Sequence, residues 1–155
     1  MKGAAKYALK GASEEEEQIM LFSWARMYEH RYPQLKWLHA IPNGGYRTES
    51  QAARFKASGV KKGVSDMFLP YPAGGAHGLY IELKRVDGGK ATKEQLEFIE
   101  DMTRAGYVAK VCHGWQAAAE LILRYLKTSE ELGMRSEELR YSPAASELKA
   151  KGEQK

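Results

Sequence analysis

Three ionisable side chains, Asp66, Glu82 and Lys84, stand in or beside two apolar runs in the middle of this chain, where burial makes charge costly. The stretch reads G-V-S-D-M-F-L-P-Y-P-A-G-G-A-H-G-L-Y-I-E-L-K from Gly63 to Lys84. Val64, Met67, Phe68 and Leu69 precede a Pro/Gly-rich turn, and Leu79, Tyr80, Ile81 and Leu83 follow it, a pattern that predicts a two-stranded hairpin. A symmetric hairpin is centred near Gly74, which sets Glu82 across from Asp66 with Cβ atoms roughly 4.5–5.5 Å apart. Carboxylates that close repel each other unless a cation lies between them. Lys84, two residues past Glu82, shares its face of the pleat. Oxygen ligands favour a hard ion such as Mg²⁺ or Mn²⁺. Held by Asp66, Glu82 and the backbone carbonyl of Leu83, such an ion would polarise a phosphate and lower the pKa of a water. Lys84 would orient that water or stabilise the growing charge on the phosphoryl group. Taken alone, E-x-K also fits the ordinary alternation of an exposed strand, with Asp66 ending a loop.

The flanking elements follow from capping and period. Ser13 and Glu16 form an S-x-x-E capping box for a helix running to about His30, and its acidic first turn complements the helix dipole. The apolar residues of that helix wrap widely, which predicts that most of its circumference is covered. Trp37–Ile41 reads as a short strand. Pro42-Asn43-Gly44-Gly45 makes a turn, and Thr48 caps a short helix to about Ala57. Gly59–Gly63 is a basic loop. Beyond the hairpin, Thr92 and Gln95 form a second capping box, for a helix with Leu96, Phe98, Ile99 and Met102 turned inward and Gly106 at its end. Residues 107–111 form a strand. A whole helix separates it from Leu79–Leu83, so the two strands are expected to be parallel, with a right-handed crossover. A last core helix runs from Trp115 to about Leu126. The expected fold is α/β, a mixed central sheet with helices on both faces.

The chain's 155 residues suit one domain, here residues 13–126, between a loose arm at 1–12 and a charged helix or tail at 127–155. Hydrophobic residues make up 43% and charged residues 28%, which is ordinary for a soluble globular protein, and no apolar run approaches the ~20 residues of a membrane span. The single cysteine, Cys112, excludes an internal disulfide and a cysteine-based zinc site and fits a reducing cytoplasm. His39, His77 and His113 are not spaced as a metal set. Gly88-Gly89-Lys90-Ala91-Thr92 lacks the upstream glycine and the adjacent K-[ST] of a phosphate-binding loop. A net charge of +4 and a pI near 9.1 permit a nucleic-acid partner without demanding one.

G-V-S-D at 63–66, I-E-L-K at 81–84, T-K-E-Q at 92–95, P-N-G-G-Y-R at 42–47 and G-Y-V-A-K-V at 106–111, in this order, resemble the virus-type replication-repair nuclease (VRR-NUC) family. That family belongs to the PD-(D/E)xK nucleases, whose restriction-endonuclease-like αβββαβ core matches the order of elements above. The resemblance covers about Ser13 to Leu126. It implies a DNA phosphodiesterase dependent on Mg²⁺ or Mn²⁺, without an organic cofactor. It implies Asp66 and Glu82 as metal ligands, Lys84 as the catalytic lysine, and Gln95 as the family's glutamine at the next helix start. Ser65 stands where the family usually has proline. The family places a glutamate four residues before a glutamine, which selects Glu14, as a further acid and possible ligand, with Gln18 behind it. Glu16 is explained by capping, and Glu17 replaces Glu14 if the helix is rotated differently. A solvated acidic first turn explains any one of these glutamates equally well.

Stand-alone bacterial and phage members of the family resemble Holliday-junction resolvases and form homodimers, which implies branched DNA as the substrate here and a cytoplasmic setting. Arg47, Arg54, Lys56, Lys61, Lys62, Arg85 and Lys90 flank the site in sequence and are candidate phosphate contacts. Asn43 and Tyr46 are candidates for a sugar or base. The alternative reading is a catalytically silent branched-DNA-binding module on the same fold.

Overall fold

A computed structural model describes residues 11–42 and 48–140, with side chains to residue 127. Helix α1 spans Glu14–Tyr28 and opens with the reciprocal Ser13/Glu16 capping box. Strand β1 is only His39–Ala40, and helix α2 spans Glu49–Ala57. Strands β2 (Met67–Leu69) and β3 (Leu79–Lys84) form the hairpin, and helix α3 (Lys93–Arg104) leads to β4 (Val108–His113). Helix α4 begins at Trp115 and runs without a break to Arg140, past the Leu126 end expected for it. The sheet order is β1-β2-β3-β4. Its first two pairings are antiparallel, and β3 and β4 are parallel, as their separation by a whole helix requires.

The pleat of β3 divides the molecule. Leu79, Ile81 and Leu83 are fully buried and join Met67, Leu69, Leu21, Cys112, Ile122 and Leu126 in one core beneath α1 and α4. The alternate residues point the other way, toward α3. There Phe68 stacks on Tyr80 with ring centroids 4.2 Å apart, and Phe98 of α3 meets Tyr80 edge-on at 5.1 Å. Edge-to-face and offset pairs of this kind add roughly 0.5–1.5 kcal/mol each beyond area burial. Glu82 and Lys84 continue this face past the aromatic layer.

Four expectations are corrected. Residues 33–37 form a 3₁₀ turn with Pro33 at its start, so Trp37 ends that turn and the strand expected over Trp37–Ile41 shrinks to His39–Ala40. The fixed φ of proline favours that start, and Leu35 and Leu38 are thereby sent into the core. Helix α1 is covered along one stripe only, Glu17, Leu21, Trp24 and Ala25, while Ile19 and Met27 are exposed. Among the described residues α4, β3 and the 3₁₀ turn make the main packing against it. Leu96 faces solvent, because the inward face of α3 is set by Gln95, Phe98, Ile99 and Met102 at helical spacing. Helix α4 is longer than its apolar segment. The N-terminal arm falls almost wholly on residues 1–10, outside those described, as do residues 141–155.

Candidate active site

Pairing of Met67 with Ile81 carries the register one step further to Asp66 and Glu82, the opposition expected from a hairpin centred near Gly74. Asp66 ends the loop before β2, half-buried, and its Oδ2 accepts a 2.9 Å hydrogen bond from the Leu83 amide. Its own carbonyl accepts from the Ile41 amide at 2.7 Å, which ties the residue to the β1 side as well. Glu82 is fully buried. Its Oε1 lies 2.7 Å from Lys84 Nζ and accepts a hydrogen bond from Gln95 Nε2. Its Oε2 is buried and, among the described residues, accepts nothing. Lys84, also buried, reaches Glu14 Oε1 at 3.4 Å. Gly89 lies against the aliphatic stem of Lys84, so close that a Cβ there would sit 3.4 Å from Cδ.

Gln95 does two jobs at once. Its Oε1 accepts from the Thr92 amide at 2.8 Å, completing the cap of α3, while its Nε2 holds Glu82. The helix start is thereby locked to the strand. Gly63 makes this approach possible. It has φ +88°, and a Cβ there would fall 2.7 Å from the Cβ of Glu94.

The electrostatics follow from burial. Desolvation, helped by the Asp66 charge and opposed by Lys84, pushes the Glu82 carboxyl up to about 7. Burial pulls the Lys84 ammonium down, but its hydrogen bond to Glu82 and the charges of Glu82, Glu14 and Asp66 outweigh it and leave its pKa raised. An acid that resists ionising beside a second acid, with one bare buried oxygen, is suited to a cation. Among the described residues no three His, Cys, Asp or Glu side chains form a metal cage. Two carboxylates with a carbonyl nevertheless fit Mg²⁺, which commonly takes one or two carboxylates and fills its remaining positions with water and substrate phosphate.

The structure also separates the first-turn glutamates. Glu14 faces Lys84, and Glu16 closes the capping box. Glu17 is buried, with Oε2 accepting a 2.8 Å hydrogen bond from the Trp115 amide, so it caps α4. That role was missed in the sequence, although Glu17 lies on the helical stripe of Leu21, Trp24 and Ala25. Gln18 is half-buried one turn after Glu14, and Ser65 is fully buried beside Asp66.

A cleft of about 1000 Å³ opens over Asp66, Glu14 and Gln95, bounded by α2 and the 59–63 loop. Lys56, Lys61 and Lys62 line it, and Lys62 is held by Glu94 at 2.8 Å. Arg54, Arg85 and Lys90 are exposed but not part of its wall. Phe55, not singled out in the sequence, lines it too, and its signal was a lone aromatic in an otherwise polar helix. Asn43, Tyr46 and Arg47 lie outside the described residues.

A mixed four-stranded α/β domain with an acid, acid, lysine cluster at one end of its hairpin is thus the class defined by fold and site. The VRR-NUC domain model matches residues 18–116. Among solved structures the chain is similar to a VRR_NUC domain protein at 33% identity and a TM-score of 0.68, covering 78% of this chain and 93% of the other. No curated protein matches the sequence. The chain belongs to the VRR-NUC family, and its domain is of the nuclease, DNA-processing type.

Proposed function

We propose that the protein is a divalent-metal-dependent, structure-directed DNA endonuclease acting on branched DNA. The observation that carries this reading is the bare buried Oε2 of Glu82 beside Asp66, which itself lines a cleft with lysines on its wall. Asp66, Glu82 and the Leu83 carbonyl would hold Mg²⁺ or Mn²⁺, with Glu14 at the outer edge. Such an ion, when bound, supplies Lewis acidity at the scissile phosphate and a water of lowered pKa. Gln95 and Lys84 fix the rotamer of Glu82 from two sides. The Lys84 ammonium, kept charged by three acids, is positioned to stabilise negative charge developing on the phosphoryl oxygens. The exposed lysines hold the flanking backbone. Such contacts carry no sequence information, so shape is what they read. A symmetric junction needs two incisions, which a homodimer supplies.

The test is a panel of labelled four-way junctions, flaps, linear duplex and single strands incubated with Mg²⁺ or Mn²⁺. Branched DNA is expected to be cut, and Asp66→Asn and Lys84→Ala to abolish cutting while folding is retained. If every substrate survives wild-type protein with both metals, the reading is wrong. Sedimentation of the protein with and without a junction tests the dimer.

A further inference from the structure

Of the three lysines on the cleft wall, Lys56, Lys61 and Lys62, only Lys62 has a carboxylate partner among the described residues. Its Nζ lies 2.8 Å from Oε1 of Glu94, 32 residues further along the chain. Glu94 stands in the first turn of α3 and is not part of the wall. Either the pair clamps the 59–63 loop to α3, or it occupies the lysine. Main-chain packing argues against the clamp. Gly63, next to Lys62, is already pressed on Glu94, so that a Cβ there would fall 2.7 Å from the Glu94 Cβ and 2.9 Å from its carbonyl carbon. The Lys62 side chain is 81% exposed, and ion pairs so exposed hold weakly. The loop is therefore seated by backbone contact, to which the pair adds little.

What the pair does is keep a cation occupied. The hydrogen bond from Lys62, with one from its own amide, holds the Glu94 carboxyl down to about 2, so it is charged throughout the neutral range. A phosphate arriving at the wall meets two lysines without a carboxylate partner and a third that must first leave Glu94. That exchange swaps one anion for another, and the released carboxylate then repels the phosphate. Proteins hold DNA largely through such phosphate contacts, so one that is withheld loosens the grip on substrate and product alike. We propose that Glu94 is a resident competitor for the DNA backbone at Lys62, keeping the affinity of the cleft below what its three lysines would otherwise give. A nuclease whose nicked product carries nearly the charge of its substrate needs such a looser grip in order to turn over. This deepens the nuclease reading of the same cleft and rests on it for the DNA.

A clamp and a competitor predict opposite signs. In an Asp66→Asn background, Glu94→Gln, Lys62→Ala and the double variant are compared with the parent by fluorescence anisotropy, on a labelled four-way junction and a linear duplex over a range of salt. Glu94→Gln is expected to tighten binding by roughly 2-fold to 5-fold at low salt, with the difference closing as salt rises. Glu94→Ala, a second neutral variant, is expected to tighten it as well, and thermal melts confirm that each protein is folded. The gain should shrink when Lys62 is already alanine. Weaker binding by both neutral variants makes the pair a clamp and overturns the proposal, and so does unchanged affinity. A gain of equal size with and without Lys62 overturns it too, because Glu94 would then act by its charge alone. If the parent binds neither DNA, the nuclease reading fails and this inference with it. If the parent binds and the neutral variants bind no better, the inference fails alone.

Discussion

The run Glu14–Glu17 puts four identical side chains through four different fates, and substitution to alanine is expected to tell them apart. Glu17 is 2% exposed and its carboxylate accepts the Trp115 amide at 2.8 Å. A hydrogen bond to a charged acceptor is worth about 1.5–3 kcal/mol, and its loss here leaves the first amide of α4 unpaired. Removing the buried stem adds roughly 1 kcal/mol, and relief of the buried charge offsets part of the total. A net loss of about 2–3 kcal/mol in a domain of this size lowers Tm by roughly 5–10 °C. Glu17→Gln keeps the stem and an acceptor and is expected to fall between the alanine variant and wild type. Glu14, by contrast, is half-exposed, and its 3.4 Å pair with Lys84 contributes less than about 1 kcal/mol, so Glu14→Ala should melt within about 3 °C of wild type while losing cleavage. Glu15→Ala, an exposed control, should change neither. Glu16→Ala loses the return arm of the capping box, so its melting falls without loss of cutting. Thermal melts and junction cleavage on the same preparations decide the matter. A Glu17→Ala protein as stable as Glu15→Ala, or a Glu14→Ala protein that melts like Glu17→Ala, refutes the assignment.

Three further outcomes are expected. Because burial raises the Glu82 carboxyl to about 7, the metal-free fold keeps a proton that the unfolded chain gives up near 4.5, so its stability should fall as pH rises between those values; Mg²⁺ or Mn²⁺ should then raise Tm more at pH 8 than at pH 5.5, and an equal shift at both would count against a metal on Glu82. Gly63→Ala should cost about 2–4 kcal/mol, since a left-handed φ of +88° and a 2.7 Å approach to Glu94 are both incompatible with a Cβ, and a Tm loss below about 2 °C would show that the loop simply shifts. Cys112 is buried, with its thiol pushed up to about 11, so a disulfide reagent at pH 8 should label it only at the rate of unfolding; prompt labelling of native protein would contradict its place in the core.

The hairpin was legible because β-structure has a period of two. Once the Pro/Gly turn fixes a centre near Gly74, every partner follows by subtraction, and Asp66 must face Glu82. The parallel pairing of β3 with β4 was legible for a topological reason, since a helix between strands leaves a crossover as the economical path. Capping boxes located α1 and α3 because a threonine or serine with a glutamate or glutamine three residues on has a mechanical meaning. The 3₁₀ turn at 33–37 was hidden, because a single turn is too short to display a period of its own, and what decides is where the core lies. The cleft was hidden for a similar reason. Gln95 is far in sequence from Phe55 and Lys61, and it shares their cleft because Gly63 lets the loop press against α3.

The first-helix acid was the hardest to place, and helix geometry says why. Residues three apart on a helix differ by only about 60° in direction, so Glu14 and Glu17 point to nearly the same side, and no rotation of α1 chooses between them. What separates them is about 4.5 Å of height along the axis. That height sets Glu17 against the amide of Trp115, while Glu14, a turn lower, meets the end of Lys84. The two contacts are mechanically joined. The Gly114 amide, next to Trp115, bonds the carbonyl of Lys84 at 2.8 Å, so the strand that carries the lysine and the helix that Glu17 caps share one corner. Fixing α1 to that corner through Glu17 is what brings Glu14 within reach of the lysine. A buried glutamate thereby determines where one that faces the cleft can stand.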